Sequence, residues 1–360
     1  MSLEGELAIV IGWDGRAVRR VRVDSTRPDI AGRVLTGREA DEVLALVPRL
    51  YSICSASQRI AAQLAVRAAR GDAPSDTDLS SAQGRVGAEM VREYAWRVLV
   101  DWPRLIGEEV DQAAVRRIRE DFPDELLALE PRAARRIACA VFGGSADAWL
   151  APQRIADLDP WMAAGETCAS RLLATLRPED RAIGASDCPL LRFPSSARER
   201  DALMDAVTND PGFARFPTQD GQPAETGPLA RRSAAGDPLV AGFGHSTFAR
   251  FVARLRDLAA LLAARTLPRV CTWSARDGMG AACLENARGM LLHFVELDGA
   301  RTRRYRIVAP TEWNFHPAGA LALGLRDTRH AGEAELRRRT ELLVQALDPC
   351  VRARLEFEHA

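Results

Sequence analysis

The stretch Arg49-Leu50-Tyr51-Ser52-Ile53-Cys54-Ser55-Ala56-Ser57-Gln58 sets a single thiol between two helix-forming runs. Upstream, Thr36 and Glu39 have capping-box spacing ahead of the apolar-periodic run Ala40–Val47, which Pro48 interrupts or ends. Downstream, Ser57–Ala69 has helical composition and closes at Gly71. Cys54 therefore falls just before a helix start. There the partial positive charge of unpaired N–H groups lowers a thiol pKa and favours the thiolate. Arg49 and Arg59 are close in sequence and act in the same direction. A free cysteine is more often a small buried hydrophobe, and the residue types alone leave both readings open.

Working outward, Glu6–Ile11 and Val18–Val23 are β-prone runs flanking Asp14-Gly15, a hairpin signal because glycine tolerates the positive φ of a tight turn. Gly71–Asp78 reads as a polar loop. Val86–Leu105 is amphipathic and helical, and Val115–Val141 continues in that style around Pro123 and Pro131. Arg192–Arg232, rich in Pro, Gly and Asp, reads as irregular. Phe248–Arg265 predicts a long amphipathic helix with arginines on one face. Met290–Leu297 and Arg304–Val308 predict strands separated by a turn at Asp298-Gly299. A last helix, Glu333–Leu347, delivers Asp348-Pro349-Cys350. The expectation is an α+β, mainly helical fold, a helix bundle with small β-elements near both ends. It is organised as one domain over 1–360: a hairpin region at 1–35, a helical core at 36–185, an irregular insertion at 186–240, and helix plus β-elements at 241–360.

Composition narrows the function classes. Lys+Arg and Asp+Glu both number 49, for a formal net charge of +0, so no electrostatic footprint for nucleic acid or an acidic membrane is expected. Every basic residue is arginine, which excludes lysine nucleophiles, Schiff bases and a P-loop. The start, Met1–Ile11, lacks a basic n-region, and the longest apolar stretches, such as Leu258–Ala264, are too short to span a bilayer. A cytoplasmic protein without a membrane partner is expected. The 7 cysteines (54, 139, 168, 188, 271, 283 and 350) form no CxxC pair, which argues against a zinc ribbon or a disulfide framework.

Stretches spread along the chain are similar to nickel–iron hydrogenase large subunits. Arg49–Gln58 resembles the pattern Arg-x-Cys-Gly-x-Cys-x-x-x-His: Arg49 and Cys54 fit, while Tyr51, Ser52 and Gln58 replace the first cysteine, the glycine and the histidine. Glu225-Thr226-Gly227-Pro228-Leu229-Ala230-Arg231 is similar to Glu-Val-Gly-Pro-Leu-Ala-Arg. Asn286-Ala287-Arg288-Gly289-Met290-Leu291-Leu292-His293 resembles Ala-Pro-Arg-Gly-Ala-Leu-x-His. Pro310-Thr311-Glu312-Trp313-Asn314 is similar to Pro-Thr-Thr-Trp-Asn. Asp348-Pro349-Cys350 matches the start of Asp-Pro-Cys-x-x-Cys-x-x-His, with Ala353 and Glu356 replacing the second cysteine and the histidine. This order of motifs with a depleted cysteine set resembles the HupK/HoxV type of hydrogenase maturation protein.

The resemblance implies a large-subunit-like fold without hydrogenase activity. Large subunits hold nickel and iron through four thiolates, soft donors suited to those metals. Cys54 takes a bridging position and Cys350 a nickel-terminal one. Two thiolates cannot close the dinuclear site, but they can clamp an Fe(CN)2CO fragment, with no nickel expected. Arg288 is implied to hydrogen-bond a cyanide through its guanidinium fork. Asp348 either holds Arg288 or simply begins the Asp-Pro turn. His293 and Trp313-Asn314 frame the fold, Glu312 and His316 are polar wall residues, and His359 belongs to a frayed end. The implied partners are the hydrogenase large-subunit precursor and a HypC-type small chaperone. Proteolytic maturation is not expected after Cys350. The alternatives are a metal-free interaction protein, like the large-subunit-like component of respiratory complex I, and a divergent redox enzyme, for which no acid–base dyad or nucleophile triad is evident.

Overall fold

The computed structural model describes residues 5–25, 31–122, 129–176 and 183–359. Pro123 and the terminal residues Met1 and Ala360 lie outside them. The described chain forms two compact units. One comprises Met1–Ala82, Asp187–Gly227 and Arg269–Ala360; the other comprises Gln83–Ser186 and Pro228–Pro268.

The first unit contains two sheets. β1 (Glu6–Trp13) and β2 (Val18–Ser25) are the expected antiparallel hairpin. Its turn is built as the sequence predicts: the Asp14 carboxylate accepts from the N–H groups of Arg16 and Ala17 at 2.9 and 2.8 Å, and Gly15 takes φ +88°. In the second sheet, β3 (Val270–Arg276), β4 (Met279–Asn286), β5 (Gly289–Asp298) and β6 (Arg301–Val308) run in sequence order as an antiparallel meander. A final strand, β7 (Arg352–His359), returns to the first sheet, which has the order β2-β1-β7, and pairs with β1 in parallel.

The meander is covered on both faces, so β4 and most of β5 are buried without alternation. Met279, Ala281, Cys283, Met290, Leu292 and Phe294 face a cluster shared with Phe193, Met204, Phe213 and Trp313. The opposite face carries the helix Ser55–Ala69, which packs on β3, β4 and β5. A Cβ added at Gly280 would collide with backbone atoms of Ala65 and Ala69, so glycine lets this helix sit directly on the sheet. The three-stranded sheet buries Leu7, Ile9 and Ile11 against Leu336, Leu343 and Leu347 of the helix Glu333–Leu347.

In the second unit the central element is the helix Thr247–Leu262. The sequence predicts an amphipathic helix with an arginine face. Instead the helix is buried almost all round, and Arg250 and Arg256 find their acceptors inside. Arg256 Nε donates to Asp237 at 2.9 Å, a carboxylate shared with Arg232 at 2.8 Å, and Arg250 donates to the Gly184 carbonyl at 2.8 Å. Asp257 accepts from the Tyr94 hydroxyl at 2.8 Å and pairs with Arg231 at 2.9 Å. Burying these guanidinium groups is tolerable because each finds acceptors.

Other expectations need correction. The stretch read as irregular contains the helix Ala197–Asn209. Its start signal is a capping box in which Ser196 Oγ accepts from the Glu199 N–H at 3.2 Å and the Glu199 carboxylate accepts from the Ser196 N–H at 2.9 Å. The loop after Gly71 ends early, because the next helix begins at Asp76. His359 is not frayed: it belongs to β7, pairs with Trp13 in register and stacks on its ring.

Candidate functional site

The similar stretches of the first unit are bound to one another by backbone contacts and short hydrogen bonds. Gly227 (φ +118°) and Gly289 (φ +138°) meet so closely that a Cβ on Gly227 would lie 2.8 Å from the Arg288 carbonyl oxygen, while one on Gly289 would strike Thr226. Thr226 Oγ1 accepts from the Met290 N–H at 2.9 Å, and the Thr226 N–H donates to Asn314 Oδ1 at 2.8 Å. The Asn314 amide then donates to the Leu347 carbonyl at 3.2 Å. Asn286 Oδ1 folds its own loop by accepting from the N–H groups of Arg288 and Gly289. Residues distant in sequence are thereby fixed around one point.

That point is a small cavity. Tyr51, Cys54, Gln58, Asn286, Arg288 and Cys350 line it, and Ile53, Ala309, Pro310 and Val351 complete an apolar wall. Cys54 ends the short turn Ser52–Cys54 and immediately precedes the helix Ser55–Ala69, at the helix start expected from the sequence. Cys350 follows the helix Glu333–Leu347, which ends at Asp348 in the left-handed region (φ +56°). Both thiols are partly buried.

Each sulfur has a polar neighbour. The Thr311 hydroxyl donates to Cys350 Sγ at 3.0 Å and accepts from the Cys350 N–H at 3.1 Å. The Gln58 amide donates to Cys54 Sγ at 3.6 Å, a normal length for a sulfur acceptor. Gln58 Oε1 faces His293 Nε2 at 2.9 Å, and His293 Nδ1 faces the Tyr305 hydroxyl at 2.7 Å. The direction of this chain follows from its ends. An amide oxygen can only accept, so Nε2 carries the imidazole proton; Nδ1 then accepts from the tyrosine. Burial pushes the His293 pKa down to about 3 and the Tyr305 pKa well above its usual value, so the imidazole is neutral and the phenol protonated. The relay holds the Gln58 amide with its N–H side toward Cys54.

Arg288 and Asp348 are each 3% exposed, and the guanidinium Nε lies 3.6 Å from the carboxylate. Asp348 ends the helix and stands at ion-pair distance from Arg288. Other expectations are corrected. Arg49 and Arg59 are exposed and do not line the cavity. Glu312 lines a separate small cavity with Phe216 and Phe315, and His316 packs edge-on against Phe216. Ala353, at the missing cysteine position, lies in β7 opposite Leu7 and packs into the sheet's apolar cluster. His293 frames the fold, yet it is also one hydrogen bond from the residue that touches Cys54. Sequence reading noticed Gln58 only as a replaced histidine and missed Tyr305 and Thr311. The one available signal was the i, i+4 spacing of Cys54 and Gln58 on a helix face. Among the described residues, no group of three or more His, Cys, Asp or Glu side chains is placed to hold a metal ion, and no helix is long and apolar enough to cross a membrane.

Comparison with known proteins bears on the same features. The family model for nickel-dependent hydrogenase matches residues 239–324. The chain is 30% identical to the hydrogenase expression/formation protein HupK of Rhizobium leguminosarum, over 94% of this chain and 93% of the relative. It is likewise 30% identical to the hydrogenase expression/formation protein HoxV of Cupriavidus necator, over 92% and 91%. Among solved structures, the reduced, active nickel–iron–selenium hydrogenase of Desulfomicrobium baculatum aligns with a TM-score of 0.61 at 15% identity, covering 94% of this chain and 95% of that one. The nickel–iron–selenium hydrogenase of D. vulgaris Hildenborough gives 0.59 at 16%. The α+β fold is therefore that of hydrogenase large subunits. By identity sustained along nearly its whole length, the chain belongs to the HupK/HoxV family of hydrogenase expression/formation proteins.

Proposed function

We propose that this protein is a maturation scaffold that holds an Fe(CN)2CO fragment between Cys54 and Cys350 and passes it toward the hydrogenase large-subunit precursor. The observation that carries this reading is the convergence of both thiols and Arg288 on one cavity. Thiolates are the soft donors that low-valent iron prefers. Arg288, oriented by Asp348, supplies guanidinium N–H groups for a cyanide nitrogen. Gln58 and Thr311 donate to the two sulfurs, drawing charge from them and weakening their grip on iron. Two weakened ligands, in place of four, favour release. A HypC-type small chaperone is the natural supplier of the fragment, and no residue is assigned a catalytic role.

The cavity as it stands has a volume of about 20 Å³, room for roughly one water. Loading an iron with three diatomic ligands therefore requires the cavity walls to move outward.

The test is infrared spectroscopy on protein purified without oxygen from cells making hydrogenase, with iron and nickel quantified in the same sample. Cyanide and carbonyl bands with iron and without nickel are expected, and Cys54→Ser and Cys350→Ser each abolish them. Bands that persist in Cys54→Ser overturn its role as a ligand. A second reading, a metal-free interaction protein, is favoured by the placement of Ala353 inside β7. The absence of bands and iron, together with undiminished maturation by both cysteine variants, would establish it.

A further inference from the structure

We propose that Cys271 and Cys283 form an oxidant-sensitive thiol pair that closes reversibly to a cross-strand disulfide, a site separate from the cavity of Cys54 and Cys350. The two residues are direct partners in the β3–β4 register, Cys271 opposite Cys283. Their side chains emerge on the same face of the meander, into the cluster of Phe193, Met204 and Phe294. Facing residues of an antiparallel pair have Cα atoms about 4.5–5.5 Å apart, inside the range a disulfide spans, while their Cβ atoms sit about as far apart or slightly farther than a relaxed disulfide prefers. Closure is thus sterically accessible but strained, and strained disulfides are the readily reduced ones.

The two thiols are chemically unlike. Cys283 is fully buried, and burial raises its pKa well above the ordinary thiol value. Cys271 is only partly buried. Its pKa is lowered by hydrogen bonding from the Cys283 thiol and by the positive charges of Arg200 and Arg269. This asymmetry assigns an order. The Cys271 thiolate attacks the terminal oxygen of a hydroperoxide, breaking the O–O bond, releasing an alcohol or water and leaving a sulfenic acid. The Cys283 sulfur then displaces the hydroxyl, its proton leaves with that oxygen as water, and the S–S bond forms. The pair loses two electrons in total, and the peroxide bond gains them. Exposed Cys139 has no such partner and serves as an internal control.

The sequence makes the experiment direct. Cleavage after arginine places Cys271 in the peptide Val270–Arg276 and Cys283 in Asp277–Arg288. The full-length protein is treated with stoichiometric hydrogen peroxide, remaining thiols are alkylated with N-ethylmaleimide, and the digest is analysed by mass spectrometry. Expected is a linked species joining those two peptides, lighter than their sum by two hydrogens and absent after dithiothreitol. In Cys283→Ser, dimedone captures Cys271 as a sulfenic acid. The proposal is overturned if both peptides stay alkylated when Cys139 is already oxidised, or if Cys271 is found linked to another cysteine.

Discussion

At the scale of single residues, the site is a set of paired demands. Asp348 and Arg288 are both buried and stand at ion-pair distance, so removing one takes a buried counter-charge from the other; Asp348→Ala is expected to destabilise the protein by roughly 3–5 kcal/mol. The double variant with Arg288→Met should cost clearly less than the sum of the single changes, measured by denaturant unfolding. His293 gives a pH prediction. Its folded pKa, about 3, lies below the ordinary 6.5, so between these values the unfolded chain binds a proton that the folded chain refuses. Its contribution to stability is complete above about pH 6.5 and is lost as the pH falls toward 3. His293→Gln should flatten that part of the stability profile relative to wild type. Cys54 and Cys350 were legible through the resemblance of the motifs that flank them, since by residue type alone any of the 7 cysteines could be a small buried hydrophobe. Tyr305 and Thr311 were not, since a hydroxyl gains meaning only from what it faces across the fold.

At the scale of elements, glycines decide which surfaces can touch. Gly280→Ala forces a methyl group into the backbone of the helix Ser55–Ala69, and overpacking of this kind costs about 1–3 kcal/mol. The expected readout is a lowered Tm, together with weaker hydrogen-exchange protection at Gln58 and along the rest of that helix. Helix ends such as Glu333–Leu347 and the turns Asp14-Gly15 and Asp298-Gly299 could be read from local chemistry, because propensity and tertiary structure agree there. β3 and β4 could not. The Ala and Gly residues of Met279–Asn286 are poor strand formers, chosen because a helix lies on one face and an aromatic cluster on the other. The helix Thr247–Leu262 misled for a related reason: arginine on a helix face reads as solvated until Asp237 and Asp257 are seen beside it.

At the scale of the whole molecule, no local signal announces that β7 pairs with β1. The two strands lie at opposite ends of the sequence, and Arg352–His359 alternates charged and apolar residues like many an exposed strand. Removing residues 352–360 should leave the hairpin β1–β2 with an open edge, and its amides should lose hydrogen-exchange protection ahead of those of the β3–β6 meander. The parallel pairing also imposes an order in time. During synthesis β1 emerges first and waits, with its outer hydrogen-bonding edge unfilled, until β7 has been made. Cys350 enters just before β7. The wall that bears Cys350 is therefore locked in place only after the other lining segments, from Tyr51 to Pro310, have been made, so any cargo held there meets a pocket whose remaining walls already exist.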